Sequence, residues 1–587
     1  MSHRILGSFP VRIAAAALVA SIVGPAPTAS AGESDDGPRF SRLELLPATP
    51  GGTSGVDLRT CSPQAPFLLL LDGSAGSIDP DGGGPLPFLR VLGGSTLILS
   101  GATDAAGRFR ALAAVPNEAA LQGATFFAQA LTVLPGGGFE ATNVAATTVA
   151  PGAPSFSYVD RSANVPTAGA TNSSFVGAAR DLDRDGDPDL VVITGPAGSV
   201  HVFRNDGGFA FTDVTATALP LAAQIEAAYV ELFDADGDGH VDMFIVGGAG
   251  AANGEPLPNL LLRNVGGGAG ISFQTAALPA VPGIARDVAV FDADCDGDLD
   301  LVLANGSDGV HSNEQAVPNT LLVNQGRSQG GVEGTFAIDA AFQAAAWNGP
   351  DFNIAVCAGD VDGDGDVDLF FGRSDTQLID GTPGQPNVLL LNQGGLVFAD
   401  VSATHLQPLF SDNTQGARFG DLDGDGALDL IVANSTVSVV SAISGDYYRN
   451  QGNGVFVEDN ASFPQIDESE VALRVGVRLD DVDLDGDLDA LFLLHEFIDF
   501  DGSSGSQTGT GGDDQLFVNQ GGAQGGTHGV FALDPTFSAT GIFITADHVI
   551  ADFDLDGDDD VYICNTGGFF TPTFPIDDRL LENTRIP

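Results

Sequence analysis

Short apolar runs of about five residues, separated by turns rich in Asp, Gly or Asn, recur through most of the chain. One set comprises Leu190 to Ile193, Met243 to Val246, Leu301 to Ala304, Leu369 to Phe371, Leu430 to Ala433, Ala490 to Leu494 and Val561 to Ile563. Runs this short, rich in Val, Ile and Phe, predict buried strands and not helices. Each follows an acidic loop of the form D-x-D-x-D-G-x-x-D. A second set of runs ends in Asn and usually Gly: HVFRNDG to Gly207, NLLLRNVG to Gly266, NTLLVNQG to Gly326, NVLLLNQG to Gly394, DYYRNQG to Gly452, QLFVNQG to Gly521 and a degenerate RLLEN to Asn583. The Asn and Gly signal tight turns. A third, alternating set follows, as in Phe209 to Val214, Val397 to Val401, Val455 to Asp459 and Val530 to Asp534.

Each unit therefore predicts four strands: before the acidic loop, after it, before the Asn-Gly turn and after it. The loops begin at Asp181 (DLDRDGDPD), Asp234 (DADGDGHVD), Asp292 (DADCDGDLD), Asp360 (DVDGDGDVD), Asp421 (DLDGDGALD), Asp481 (DVDLDGDLD) and Asp552 (DFDLDGDDD), a mean period of about 62 residues. Seven four-stranded units of this size predict an all-β fold, a seven-bladed β-propeller. The seventh unit runs out after its third strand, and a matching fourth, FSYVD from Phe156 to Asp160, precedes the first loop. Pairing the two would close the ring and remove two exposed edges.

The region before the repeats has a different character. Arg4 and Arg12, the apolar run Ile13 to Val23 and Ala29-Ser30-Ala31 read as a signal peptide, residues 1–31, cleaved near Ala31. Residues 32–153 show Gly-punctuated apolar stretches and predict a small all-β, sandwich-like module with a linker, and the propeller is placed at 154–587. An exported protein, secreted or periplasmic, is the expectation, with no membrane insertion, since no run approaches the roughly 20 apolar residues a membrane helix needs.

Composition narrows the chemistry. The 78 acidic and 22 basic residues give a net charge of −56, and every basic residue is Arg. Schiff-base, P-loop and Ser-Lys chemistry all require Lys and are excluded. Nucleic acid is not an expected partner, because phosphate backbones are held by clustered cations. Hydrophobic content of 43%, with 38 Phe, is enough for packed cores. Cys61, Cys295, Cys357 and Cys564 form no disulfide framework and no CxxC pair.

The acidic loops carry the clearest chemistry. Calcium takes six to eight oxygen ligands, and Asp at alternate positions of a tight loop converge on one ion while Gly at position six permits the reversal. Without a counter-ion, carboxylates this close repel one another strongly. The side-chain ligands would be Asp181, Asp183, Asp185 and Asp189 in the first loop and Asp234, Asp236, Asp238 and Asp242 in the second. They continue as Asp292, Asp294, Asp296 and Asp300, then Asp360, Asp362, Asp364 and Asp368, then Asp421, Asp423, Asp425 and Asp429. The last two sets are Asp481, Asp483, Asp485 and Asp489, and Asp552, Asp554, Asp556 and Asp560. Position seven would contribute its backbone carbonyl, at Asp187, His240, Asp298, Asp366, Ala427, Asp487 and Asp558. Up to seven Ca²⁺ are expected. An EF-hand is excluded because strands and not helices follow the loops.

These loops resemble those of FG-GAP/VCBS repeat proteins and are similar to the calcium-binding propeller of integrin α-subunits. The resemblance covers about Phe156 to Pro587. It implies a calcium site in the hairpin between the first and second strands of each blade.

In an up-and-down blade the calcium loops share one face, and the connections between second and third strands lie on the other. The longest of these are Ser307 to Pro318, Ser374 to Pro386, His495 to Asp514 and Thr566 to Asp578. Inserted loops on one face of a repeat array often form its binding face. Phe497, Phe500, Phe569, Phe570 and Phe574 are the candidate ligand-facing aromatics, with a local mini-core as the competing reading. No HExxH, GxSxG or Walker motif is present, so no catalytic residue is assigned. The expected function is a non-enzymatic binding or adhesion module for an extracellular glycan or protein, with structural calcium. The alternatives are a polysaccharide lyase or hydrolase, which would need convergent Arg, His, Tyr or carboxylate groups in the central funnel, and a structural surface or matrix component.

Overall fold

A computed structural model describes eight strands between 41 and 148 by their backbone. It also describes residues 155–586 except 167–173, 195–197, 221–226, 249–256, 267–269, 282, 284, 307–316, 350–351, 374–385, 408–413, 435–446, 460, 465–471, 484, 486, 497–513, 522–525, 535–536, 538–544, 557 and 566–577. Residues 1–31 and Phe497, Phe500, Phe569, Phe570 and Phe574 lie outside the described residues.

From Ser174 onward the chain forms seven antiparallel sheets, here blades one to seven, in which successive strands lie side by side. Their strands span 174–213, 227–276, 285–338, 353–400, 414–458, 472–533 and 545–586. Blade five gains a fifth strand, Leu406–Gln407, which leaves blade four and pairs in parallel with Phe456 and Val457 on the outer edge. Blade seven takes its fourth strand from Ser155–Asp160, which pairs with Arg579–Ile586 from Leu581↔Asp160 to Ile586↔Ser155. Two ion pairs pin this closure: Arg161 with Glu582 at 2.7 Å, and Arg579 with Asp160 at 3.1 Å. The first strands pack against one another all round the ring, the seventh blade's against the first's. The described protein is therefore a closed, all-β, seven-bladed propeller.

The core is divided among the seams. One cluster of buried side chains fills each of the seven interfaces between neighbouring blades, from blades one and two round to blades seven and one. The second strands show why these segments are apolar throughout. In Asp189–Thr194, Leu190 and Val192 enter the seam with blade seven, while Val191 and Ile193 enter the seam with blade two. Alternation persists as a choice of seam, and both faces are dry, so no polar face shows in the sequence.

Six first strands carry a register shift between their first and third residues, as at Ser174/Val176 and Asn353/Ala355, and the longer first strand of blade six carries it at Arg474/Gly476. A bulge at one place in all seven blades sharpens the local twist. At the third residue, Asp287 accepts from the Val356 N–H of blade four at 2.9 Å, and Asp547 from the Gly177 N–H of blade one at 3.3 Å.

The N-terminal strands pair in two groups. Ser41–Leu45, Thr53–Thr60 and Arg108–Ala114 form one sheet, and Leu97–Ala102, Pro66–Asp72, Thr125–Val133 and Phe139–Ala141 another, with Ala145–Thr148 also on Thr125–Val133. Among the described residues no helix is long and apolar enough to cross a membrane.

Candidate metal loops and the clasp beneath them

Each acidic loop joins the first and second strands of its blade, so all seven sit on one face. Position one fixes the turn by accepting backbone N–H groups. Asp181 accepts from Arg184 and Asp185 at Oδ1 and from Gly186 at Oδ2, at 2.7 to 3.1 Å. Equivalent bonds reach Asp234, Asp292 and Asp360. Position five caps position seven, as when Asp185 Oδ1 accepts from the Asp187 N–H at 3.0 Å. Gly186, Gly239, Gly297, Gly365 and Gly426 at position six have φ between 86° and 104°, which side chains rarely adopt. Position four is left-handed too, at Arg184, Cys295 and Leu555 as well as at Gly237, Gly363 and Gly424.

Position nine does a separate job. Asp189 is fully buried, accepting at Oδ2 from Leu182 N–H and at Oδ1 from Asn205 N–H, both at 2.8 Å. Asp242, Asp300, Asp368, Asp489 and Asp560 bond in the same way. In blade five Asp429 accepts from Asn450 N–H and from the Tyr447 hydroxyl. The ninth carboxylate thus ties its own hairpin to the third strand.

The Asn that ends each third strand completes the device. Its Nδ2 donates to the carbonyl at position two of the preceding blade's loop: Asn205 to Phe553, Asn264 to Leu182, Asn324 to Ala235, Asn392 to Ala293, Asn450 to Val361, Asn519 to Leu422 and Asn583 to Val482, at 2.7 to 2.9 Å. Seven clasps therefore link every metal loop to the next blade, including the closing seam. The turn signal N-x-G is correct but incomplete as a reading of this Asn. Its recurrence in all seven units, even where the Gly is lost at Asn583, was the available clue.

Carboxylates gather inside the loops. Oxygens of Asp181, Asp183 and Asp189 lie within 4.8 Å of one another, as do those of Asp234, Asp236 and Asp242, of Asp292, Asp294 and Asp300, of Asp360, Asp362 and Asp368, and of Asp421, Asp423 and Asp425. At position three one oxygen, Oδ1 of Asp183, Asp236 and Asp294, is buried without a hydrogen-bond partner. The other oxygen faces outward, toward Arg204 Nε at 3.9 Å from Asp183 and Arg263 Nη1 at 3.0 Å from Asp236. Arg449 pairs likewise with Asp423.

Burial first, then crowding by loop neighbours, pushes Asp183 and Asp234 up to about 6. Burial likewise holds Asp189, Asp242 and Asp368 up at about 8. Groups this reluctant to ionise side by side, with inward oxygens left bare, fit a hard divalent cation. The donor set is all oxygen, which suits calcium and not zinc. Positions one, three, five and nine would hold the ion with the carbonyl at position seven. A bound cation would supply the positive charge that keeps the loop carboxylates ionised and together.

The sequence model for the FG-GAP-like repeat matches residues 181–245, 234–303 and 360–432, spanning the first five loops. The chain carries FG-GAP-like repeats. No curated protein matches it. Among solved structures, the FG-GAP-like propeller is similar to the Dos1 propeller, at 7% identity and a TM-score of 0.35 over 72% of this chain and 93% of that one. It is also similar to S. cerevisiae core factor, at 8% identity and 0.35 over 75% and 62%. A multiple arginine-to-alanine mutant of AofleA from Arthrobotrys oligospora follows, at 11% identity and 0.27 over 75% and 91%.

Two further features of the FG-GAP-like ring bear on ligands. Beside the blade-two loop is a cleft of about 420 Å³ lined by Asp236, Asp238, Arg263, Gln274, Thr275 and Thr335, among others. On the inner strands, Arg478 Nη2 donates to Asp547 Oδ1 at 2.5 Å and its Nε to the His548 carbonyl at 3.1 Å. Tyr229 and Asp287 interact with this pair. Cys295, Cys357 and Cys564 are free thiols.

Proposed function

We propose that the protein is an exported, calcium-stabilised propeller that binds an extracellular glycan or protein and has no catalytic role. The observation that carries the calcium half is the bare, buried Oδ1 at position three of successive loops, in pockets whose other carboxylates are held in place by backbone N–H groups. The leader-like residues 1–31 support export, where calcium is abundant enough to fill weak oxygen sites of roughly 10⁻⁴–10⁻³ M. The binding half rests on the repeat architecture and on the cleft by the blade-two loop, whose size lies within the range of small-ligand sites.

The test incubates calcium-loaded protein with a panel of extracellular polysaccharides and reads retention on the polymer together with release of new chain ends. Retention without new ends, lost on chelation, is the expected result. New ends would favour the second reading, a lyase or hydrolase. The group of Tyr229, Asp287, Arg478 and Asp547 is the one observation for it, and Arg478→Ala would then abolish chain release.

A further inference from the structure

In blades one, two and five the residue before the clasp Asn is Arg204, Arg263 or Arg449, and its guanidinium faces the position-three carboxylate. Blade three has Val323 there. Its connection to the fourth strand is longer, and a short turn, Arg327–Gln329, folds back over the metal loop. The Ser328 N–H donates to Asp296 Oδ2 at 2.6 Å, and Gln329 Nε2 donates to Asp294 Oδ2. Arg327 and Glu333 clamp the two ends of the turn together at 3.0 Å.

Two sets of atoms are left over. Gln329 Oε1 is buried and has no hydrogen-bond partner, and neither has Asp294 Oδ1. Asp298, only 3% exposed, has neither carboxylate oxygen bonded. A primary amide exchanges its N and O ends by a half-turn, and a cation beside Asp294 would draw the oxygen end inward. An Arg in that place does the opposite: it offers no ligand atom and offsets part of the negative charge that attracts the metal.

We propose that Gln329 Oε1 is an extra ligand of the blade-three cation, which makes this loop the tightest and slowest-releasing divalent-cation site among the described loops. Four carboxylates and one carbonyl leave calcium short of its six to eight oxygens, and a folded-over amide replaces a water that would otherwise exchange. The inference rests on the calcium reading above.

The experiment loads the full chain with calcium and follows release into excess chelator by stopped flow, with terbium at one equivalent per chain as a second probe. The wild type should show a slow phase, and its terbium lifetimes in H₂O and D₂O should report a site poor in water. Gln329→Leu should speed the slow phase about tenfold and add about one water to the first terbium bound. Gln329→Glu should retain the slow phase, and Ser328→Ala should leave it unchanged. If Gln329→Leu does not fold, Gln329→Asn, whose amide is one methylene too short, takes its place. A folded variant with unaltered release and hydration overturns the ligand assignment alone, whereas a wild type that takes up no calcium overturns the calcium reading and this inference together.

Discussion

Cutting one clasp should cost far more than its place in a surface turn suggests. Asn392 is fully buried between blades three and four. Its Nδ2 donates to the Ala293 carbonyl at 2.9 Å and to the Val367 carbonyl at 3.3 Å, and its Oδ1 accepts from the Gly394 N–H at 3.1 Å. Asn392→Ala removes all three. At about 1 kcal/mol each, discounted for the longest, and with about 1 kcal/mol for a buried carbonyl left without a donor, the loss is about 3 kcal/mol. Asn392→Asp preserves the shape and the bond from Gly394 but sets a carboxylate oxygen against two carbonyls, so it should lose more than alanine does. Urea unfolding in saturating calcium, followed by circular dichroism, measures both, and amide exchange should place the new opening at the seam of blades three and four. Both variants within about 0.5 kcal/mol of wild type, or aspartate no worse than alanine, would refute the clasp as a structural element.

Other consequences are open to direct measurement. The raised carboxyls at about 6 (Asp183, Asp234) and about 8 (Asp189, Asp242, Asp368) keep protons in the folded, metal-free protein at pH values where the unfolded chain, near 3.8, has lost them. Stability without metal should therefore be greatest near pH 4 and fall as the pH rises to about 8. Melts of resin-demetallated protein at pH 5 and pH 8 test the sign, and a higher melting temperature at pH 8 would contradict it. Calcium binds the ionised form, so its addition should raise the melting temperature more at pH 8 than at pH 5. Gly416→Ala should destabilise by roughly 1–3 kcal/mol, because its Cβ would stand 2.9 Å from the Gly476 backbone where the first strands of blades five and six meet. An unchanged urea midpoint would show that the inner ring yields. Truncation through Asp160 uncovers the edge of Arg579–Ile586, and light scattering should then show more association than for the full chain.

The repeat count, the four strands per blade and the position of the loops were legible because they rest on local chemistry. Asp and Gly at fixed spacing mark a turn, and a five-residue apolar run has few other uses. What was illegible depends on contacts far apart in sequence. The clasp from Asn583 to Val482 spans 101 residues, and no local pattern distinguishes an Asn that ends a strand from one that also holds the next blade. The ninth Asp reads only as a metal ligand, because spacing does not reveal that Leu182 and Asn205 N–H groups also converge on Asp189. The bulge common to the first strands leaves no mark either, since their residues range from SFVGAAR to TADHVIA.

The loop therefore sets its acids two tasks, and the pairing of the two explains how a ring with so much negative charge holds together. Position nine and the clasp Asn keep their backbone hydrogen bonds whether or not metal is bound, so they keep the hairpins aligned and the blades in register. Positions one, three and nine bring carboxylate oxygens within 4.8 Å of one another in the first four loops, and without a cation those charges repel. Removing the cation then need not unfold a blade, because the clasp remains, but it stores repulsion on the side of the ring where each loop meets its neighbour. Since every clasp ends on a metal loop's own backbone, at the carbonyl next to position one, that repulsion acts directly on the bond joining successive blades. Metal loss at any loop should on this account loosen the seam it shares with the following blade before it loosens the blade itself.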